Sequence, residues 1–460
     1  MLVFIVFAKL AVFTYAASEF LVYPTILEER TTASNLVLQL NQDITLHLKR
    51  CSVLADEVLV ATSTAEGNQM ELVNTSGIQA SLYHDTHHQS SVIVRARDGA
   101  AQVEGIINHK LRIKPVPEGK RSSQGEMLHK IYEVDVPTKI PINMGSGITR
   151  RNISQRELSY DRFAVEVHVI SDSVHQKDFA KTEDLIAYFA VLLNGVNLRY
   201  VDMTKPRIKF MLVGITRSLD DAYASYLKPG ILDMDKSLDG LFKFNARGRV
   251  PGRPDVVHLV TGQDMARFEN GALDKEYTGL AYEGPPCTKR AVSLSEDIAT
   301  SYKGVFIMAH ELGHVMGSPH DETNRCPWSE GYLMSYVDGG VKKYRLSKCS
   351  EERIRDNLKY MPRRCVGILS QTTYMHRYNK FPGQKVSKKH YCQKRLKKYT
   401  TANDIFYEKP EDASKKCKMN CCFPVPPNLK NCLECNILDG MECAGGMTCK
   451  RGVCGEHAWP

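Results

Sequence analysis

His310-Glu311-Leu312-Gly313-His314-Val315-Met316-Gly317-Ser318-Pro319-His320-Asp321 places three histidines, one glutamate and two glycines within twelve residues. His310 and His314 are four positions apart, so on a helix both imidazoles project from one face within reach of a single ion, with Glu311 beside them. Gly317 lets the chain leave the helix in a left-handed turn, Ser318-Pro319 prevents its continuation, and His320 comes round as a third ligand. Three neutral imidazoles suit a zinc ion with one position left for water, which separates a catalytic site from a closed structural one. The alternative is a chance His-Glu-x-x-His on a buried or solvated helix. The third histidine, the glycine at the bend and a downstream methionine argue against it.

Zinc lowers the pKa of bound water to about 7 and polarises a peptide carbonyl, while a carboxylate in the place of Glu311 takes the water's proton and passes it to the leaving amine. Peptide-bond hydrolysis by Glu-assisted attack of zinc-bound water is therefore the expected chemistry. The H-E-x-x-H-x-x-G-x-x-H string, followed by Leu333-Met334-Ser335, resembles the metzincin metalloproteases, and Asp321 after the third His resembles their reprolysin (adamalysin, snake-venom-type) branch. Within that branch the short exported layout is most similar to tick salivary metalloproteases.

The resemblance implies an α/β (α+β) zincin catalytic domain with a mixed sheet, one catalytic zinc on His310, His314 and His320, and Met334 as the apolar Met-turn beneath the metal. It also implies the bridges Cys287–Cys365 and Cys326–Cys349, and a structural calcium for which Glu166, Asp255 and the Cys365 carbonyl match ligands. Ile368 stands where the family has an Asn ligand, and a water can complete such an oxygen cage. Tyr336 lies two residues after the Met, where venom-type members usually have Pro and where astacins and serralysins have a metal-side Tyr. Its phenol is a candidate oxyanion donor, and simple packing is the alternative for so amphipathic a side chain.

At 460 residues the chain is too long for one ordinary core, and fourteen cysteines point to an oxidising compartment. Residues 1–18 are apolar apart from Lys9 and end on small residues, as a cleaved secretory signal does. From Glu19 to about Gly147 the patterns Val37–Leu40, Ile44–Leu48 and Ser91–Arg95 alternate with period two, which predicts β-rich material. Residues 19–151 are expected to be a propeptide, resembling those of reprolysins in spacing. Cys51 is its one thiol and stands early, so a thiolate on the zinc competes with steric occlusion or an unrelated role. His84, His87 and His88 lie in a turn-rich polar stretch and are read as a solvated loop. Asn74 and Asn152 head Asn-x-Ser glycan sequons, and Arg150-Arg151 is a candidate dibasic processing site, with Arg156 as an alternative edge.

Residues 157–367 alternate strand and helix. Strands are predicted over Phe163–Ile170, Ile208–Ile215, Val256–Val260, Tyr277–Tyr282 and Ala291–Leu294, and helices over Ser173–Asn197, Met234–Asn245 and from near Tyr302. Thr278 to Tyr282 resembles the metzincin strand that pairs with extended substrate, which makes sequence selectivity broad.

Residues 368–460 form a basic cysteine-rich end: from residue 366 onward there are sixteen Lys or Arg against eight Asp or Glu, so +8 of the chain's +9 lies there. Lys385 to Lys398 suits an anionic glycan or cell-surface contact, against a merely solvated face. The closing cysteines resemble the end of disintegrin-like and cysteine-rich modules, without Arg-Gly-Asp. With nine tail cysteines and four in 157–367, a protein lacking Cys51 has an odd number, so one has no internal partner. No transmembrane anchor and no nucleic-acid partner are expected. The resulting expectation is a secreted zinc endopeptidase acting on extracellular proteins, with fibrinogen, fibrin and matrix proteins implied by the tick resemblance. The rival is a binding or anti-haemostatic protein acting through its tail, with the protease domain as scaffold.

Overall fold

In the computed structural model five strands between residues 162 and 296 join two earlier ones in one sheet. The structure describes residues 19–29, 35–64, 67–97, 100–116, 121–123, 125–135, 162–269, 271–359, 361, 365, 387–396, 399–400, 404–427, 429–438, 440–450 and 453–456. The expected leader, Arg150-Arg151, Asn152 and Arg156 lie outside them.

Seven strands build this sheet: β1 (Leu54–Thr64), β2 (Gly67–Asn74), β3 (Arg162–Ser171), β4 (Arg207–Ser218), β5 (Val256–Thr261), β6 (Gly279–Ala281) and β7 (Val292–Glu296), in the order β6-β7-β5-β3-β4-β1-β2. β3 runs parallel to β4 and β5, β5 to β7, and β4 to β1, whereas β6 is antiparallel to β7. Nine of the ten residues of β3 are buried, as a strand covered on both faces requires.

Helices α1 (Thr182–Leu198), α2 (Met234–Ala246), α3 (Val305–Val315) and α4 (Lys348–Leu358) flank the sheet. α1 buries thirteen of its seventeen residues, the mark of a helix covered on more than one side. It starts later than its apolar spacing predicts. Asp172 accepts from the His175 N–H (2.7 Å) and Asp221 from the Ser173 N–H (3.1 Å), so short polar side chains hold residues 172–175 in a turn instead. α3 likewise starts after the expected Tyr302, whose φ of 53° is left-handed, and its first turn is held by the Gly304 N–H donating to Asp297 Oδ1 (2.7 Å).

Most of the N-terminal strands form a second, nine-stranded antiparallel sheet running from Glu19–Val22 through His129–Glu133 to Thr25–Glu29 at its far edge. The β1–β2 hairpin departs from that arrangement. Although it precedes residue 151, it pairs with β4, so the main sheet is not confined to 157–367. Leu54, Ala55, Val58, Val60 and Ala61 are all buried on it, the leucine and valines each contributing about 1.5–3 kcal/mol once fully covered.

The C-terminal end is separately stapled. Helix α5 (Lys388–Leu396) packs on strands β8 (Phe406–Glu408) and β9 (Lys418–Val425), and β9 pairs with β10 (Leu429–Asn436). Its bridges are Cys392–Cys421, Cys417–Cys449, Cys422–Cys432 and Cys443–Cys454. Cys435 is buried and unpaired, as is the half-buried Cys51. Among the described residues no helix is long and apolar enough to cross a membrane.

Candidate metal centre

α3 carries His310 and His314 on one face, and Gly317 at φ 90° turns the chain so that His320 returns to them. The Nε2 atoms of His310 and His320 approach to 3.1 Å, as do those of His314 and His310. His310 Nδ1 donates to the Leu333 carbonyl (2.7 Å) and His314 Nδ1 to the Ser318 carbonyl (2.8 Å). A neutral imidazole has one N–H, so both Nε2 atoms present lone pairs to the same point, and only a cation placed there satisfies them. Burial holds all three rings neutral, His310 at about 4, His320 at about 2 and His314 well below its ordinary value. This donor set fits zinc.

Glu311 is buried beside the cluster, and that burial raises its carboxyl well above the ordinary glutamate value. A Cβ on Gly279 of β6 would lie 2.5 Å from Glu311 Oε1, so the backbone of the edge strand passes directly over the carboxylate. Met334 lies under α3: a Cβ on Gly313 would meet its Sδ at 2.4 Å.

Asp321 fixes the return loop. Its N–H donates to the Met334 carbonyl (2.9 Å), and its Oδ1 accepts from Ser347 Oγ (2.6 Å) and Ser350 Oγ (2.9 Å) at the start of α4. Tyr336 lies against His320 with ring centroids 4.2 Å apart and the planes tilted by 43°, and it donates its phenol to Glu322 Oε1. Burial, then that carboxylate, raises the phenol's pKa.

Cys287 is bonded to Cys365 and Cys326 to Cys349, one bridge tying the segment before β7 to Cys365 and the other spanning the Met334 loop. Next to the first bridge, Asp255 Oδ2 accepts from the Glu166 N–H (2.8 Å), and Asp255 lies with Cys287 and Cys365 in one group of close ligand atoms. Both carboxylates are buried. Burial, and next the charge of Glu166, pushes Asp255 well above its ordinary value.

Other candidate residues lie elsewhere. Cys51 is outside the histidine group; its Sγ sits 3.6 Å from the Leu82 carbonyl and burial pushes its pKa up to about 12. His84 is a correction to the solvated-loop expectation: it belongs to the strand Leu82–Asp85, with Nδ1 3.5 Å from Asn194 Oδ1 of α1. His87 and His88 do occupy a turn, where their N–H groups donate to Asp85 Oδ1 at 2.8 and 3.3 Å. Asn74 is exposed, its Oδ1 accepting from the Ser76 N–H (3.0 Å).

Several of these contacts were not assigned from the sequence. The carbonyls of Leu333 and Ser318 are backbone groups that any residue supplies. Ser347 and Ser350 act on Asp321 from 26 and 29 residues away, and only the Ser-x-x-Ser start of α4 hints at them. Gly279 had a signal, a glycine inside a strand where another group approaches closely.

The family model described as Metallo-peptidase family M12B Reprolysin-like matches residues 186–321. Venom metalloproteinase antarease TserMP_A of Tityus serrulatus is 25% identical over 379 residues, covering 75% of this chain and 92% of its own length. Venom metalloproteinase BumaMPs1 of Olivierus martensii is 26% identical over 377 residues, covering 76% of this chain and 94% of its own. A Bombyx mori protein described as "A disintegrin and metalloproteinase with thrombospondin motifs like" is 24% identical over 350 residues, covering 58% and 50%. The family match runs through α3 and ends on Asp321, taking in all three converging histidines and their neighbouring glutamate, and together with the venom relatives it supports a zinc metalloendopeptidase of the reprolysin-like metzincin type.

Proposed function

We propose that this enzyme is secreted and cleaves extracellular proteins, fibrinogen, fibrin and matrix proteins among them, by binding them extended along β6. The observation that carries this reading is the convergence of His310, His314 and His320 within 3.1 Å contacts, next to a buried Glu311 and an edge strand. Zinc, when bound, supplies a Lewis acid that polarises the scissile carbonyl and acidifies water. Gly279 to Ala281 offers backbone groups that pair with a substrate strand and hold it over Glu311. Glu311 takes the attacking water's proton and returns it to the leaving amine; its buried, raised-pKa carboxyl keeps that proton firmly between the two transfers. Tyr336, engaged with Glu322 and packed at a tilt against His320, orients that imidazole.

The rest of the layout follows the sequence: a leader over 1–18, processing at Arg150-Arg151 or near Arg156, a catalytic region over 157–367 and a basic tail over 368–460, with glycans on Asn74 and Asn152. Lys388 and Lys409 both approach Glu442, at 2.9 and 3.4 Å, which leaves exposed Lys389 and His390 on α5 for an anionic glycan or cell surface. A structural calcium at Glu166, Asp255 and the Cys365 carbonyl fits the chemistry there, because a proton or a hard cation relieves the like charge that two buried carboxyl groups exert on one another.

Casein and gelatin digestion with and without phenanthroline, repeated on Glu311→Ala, tests the central claim. The parent should digest both substrates, the chelator should stop it, and the variant should lose about 10²–10⁴-fold in kcat while keeping its zinc. An E311A protein as fast as the parent would refute the assignment of the base.

A further inference from the structure

The N-terminal residues and the catalytic residues share more than a boundary. β1 pairs in parallel with β4 from Gly214↔Leu59 to Ser218↔Ser63, and the Leu212 N–H donates to the Val53 carbonyl (2.8 Å). Val58, Val60 and Leu82 belong to the same apolar cluster as Phe163, Leu193 and Leu312. On the outer face of α1, Ser91 Oγ donates to the Val191 carbonyl (2.8 Å) and Asn194 Nδ2 to Ser91 Oγ (2.9 Å).

Arg112 makes the joint bear on the metal site. It is 1% exposed, and it donates Nε to the Ser301 carbonyl (3.0 Å) and Nη2 to the Tyr302 carbonyl (3.3 Å). Tyr132 donates its hydroxyl to the Thr300 carbonyl (3.0 Å). These carbonyls belong to the loop that feeds α3, where Thr300 (φ 64°) and Tyr302 (φ 53°) are both left-handed, a conformation that non-glycine residues hold only with outside support. β1 and β2 stand away from β6, which ends the sheet on one side, while four strands separate it from them on the other.

We propose that residues 19–135 are a standing half of the folded protease: after a cut between residues 136 and 161 the two pieces remain one non-covalent unit, with Arg112 holding the loop that enters the metal-binding helix. Separation would bare the buried outer face of α1, the far edge of β4 and a guanidinium with carbonyls for partners, and each carries a cost with nothing to offset it. No disulfide crosses the joint, since Cys51 is unpaired, so persistence rests on packing and hydrogen bonds. This goes beyond the proposed function, and the pieces can be followed whatever the chain cleaves.

The test places a site for a sequence-specific protease at Arg150-Arg151 in the full chain, cuts it, verifies the cut on a denaturing gel and runs the product by size exclusion in native buffer. Both pieces are expected in one peak that still digests casein. Two peaks, or a void-volume aggregate holding only the larger piece, would overturn the proposal. Urea added to the nicked protein then grades the joint, and R112M should separate at a midpoint about 1 M lower than the nicked parent. An equal midpoint would remove Arg112 from the joint.

Discussion

Two buried polar clusters flank the catalytic sheet, and they respond to pH with opposite signs. At the histidine cluster, burial holds the folded pKa values below the unfolded value of about 6.5, with His310 at about 4. Without a metal the unfolded chain takes up protons there that the folded chain refuses, so stability is present above that unfolded value and falls as pH drops through it. At the Glu166–Asp255 cluster, burial and like charge raise the folded pKa of Asp255, so the folded chain keeps a proton that the unfolded chain has lost. Without a cation that cluster costs stability as pH rises past the ordinary aspartate range. The first cluster offers nitrogen lone pairs, which suit zinc, and the second offers hard oxygens, so any cation taken up there would differ in kind as well as in place.

Acid should therefore break the first cluster first. Lowering the pH from about 6.5 toward 4 is expected to abolish proteolysis and release zinc, measured by activity and metal content on the same samples, and zinc retained at the lower pH would show the rings to be less easily protonated than their geometry indicates. A smaller effect is expected above the cluster, where Gly279→Ala pushes a methyl group at Glu311 and should lower kcat/KM about tenfold with zinc content unchanged. At the second cluster the readout is heat. Calcium-selective chelation at neutral pH should lower the parent's Tm by on the order of 5 °C, and Asp255→Asn should erase the difference. Equal melting of the parent with and without calcium would leave the carboxylates paired by a proton alone. Tyr336→Phe should change kcat/KM least, by about threefold, because it deletes one hydrogen bond to Glu322 and keeps the ring on His320. A hundredfold loss would instead make the phenol an oxyanion donor.

The convergence of His310, His314 and His320 was legible because its pattern is local: four-residue spacing, a glycine bend and a third histidine lie within twelve positions. β3, β4 and β5 were legible for a related reason, since continuous apolar runs bounded by turns state their own extent, and α2 was legible from its helical spacing of apolar residues. The starts of α1 and α3 were not, because Asp172, Asp221 and Asp297 act on backbone groups that periodicity does not register. The membership of β1 and β2 was hidden more deeply. Alternation predicts that a segment is a strand, and it says nothing about which sheet receives it when more than a hundred residues intervene. The same limit applies to Arg112, which reads as a surface charge in a strand until its contacts 189 and 190 residues away are seen.

Cys435 sits sealed between β9, α5 and the four bridges of the tail, shielded from solvent while the tail is intact. Heating past the melting point should uncover a free thiol amid oxidised neighbours, and disulfide scrambling with covalent oligomers is the expected result on cooling. Thermal history is thereby recorded as a ladder on a gel run without reductant, and a thiol-blocking reagent added before heating erases it.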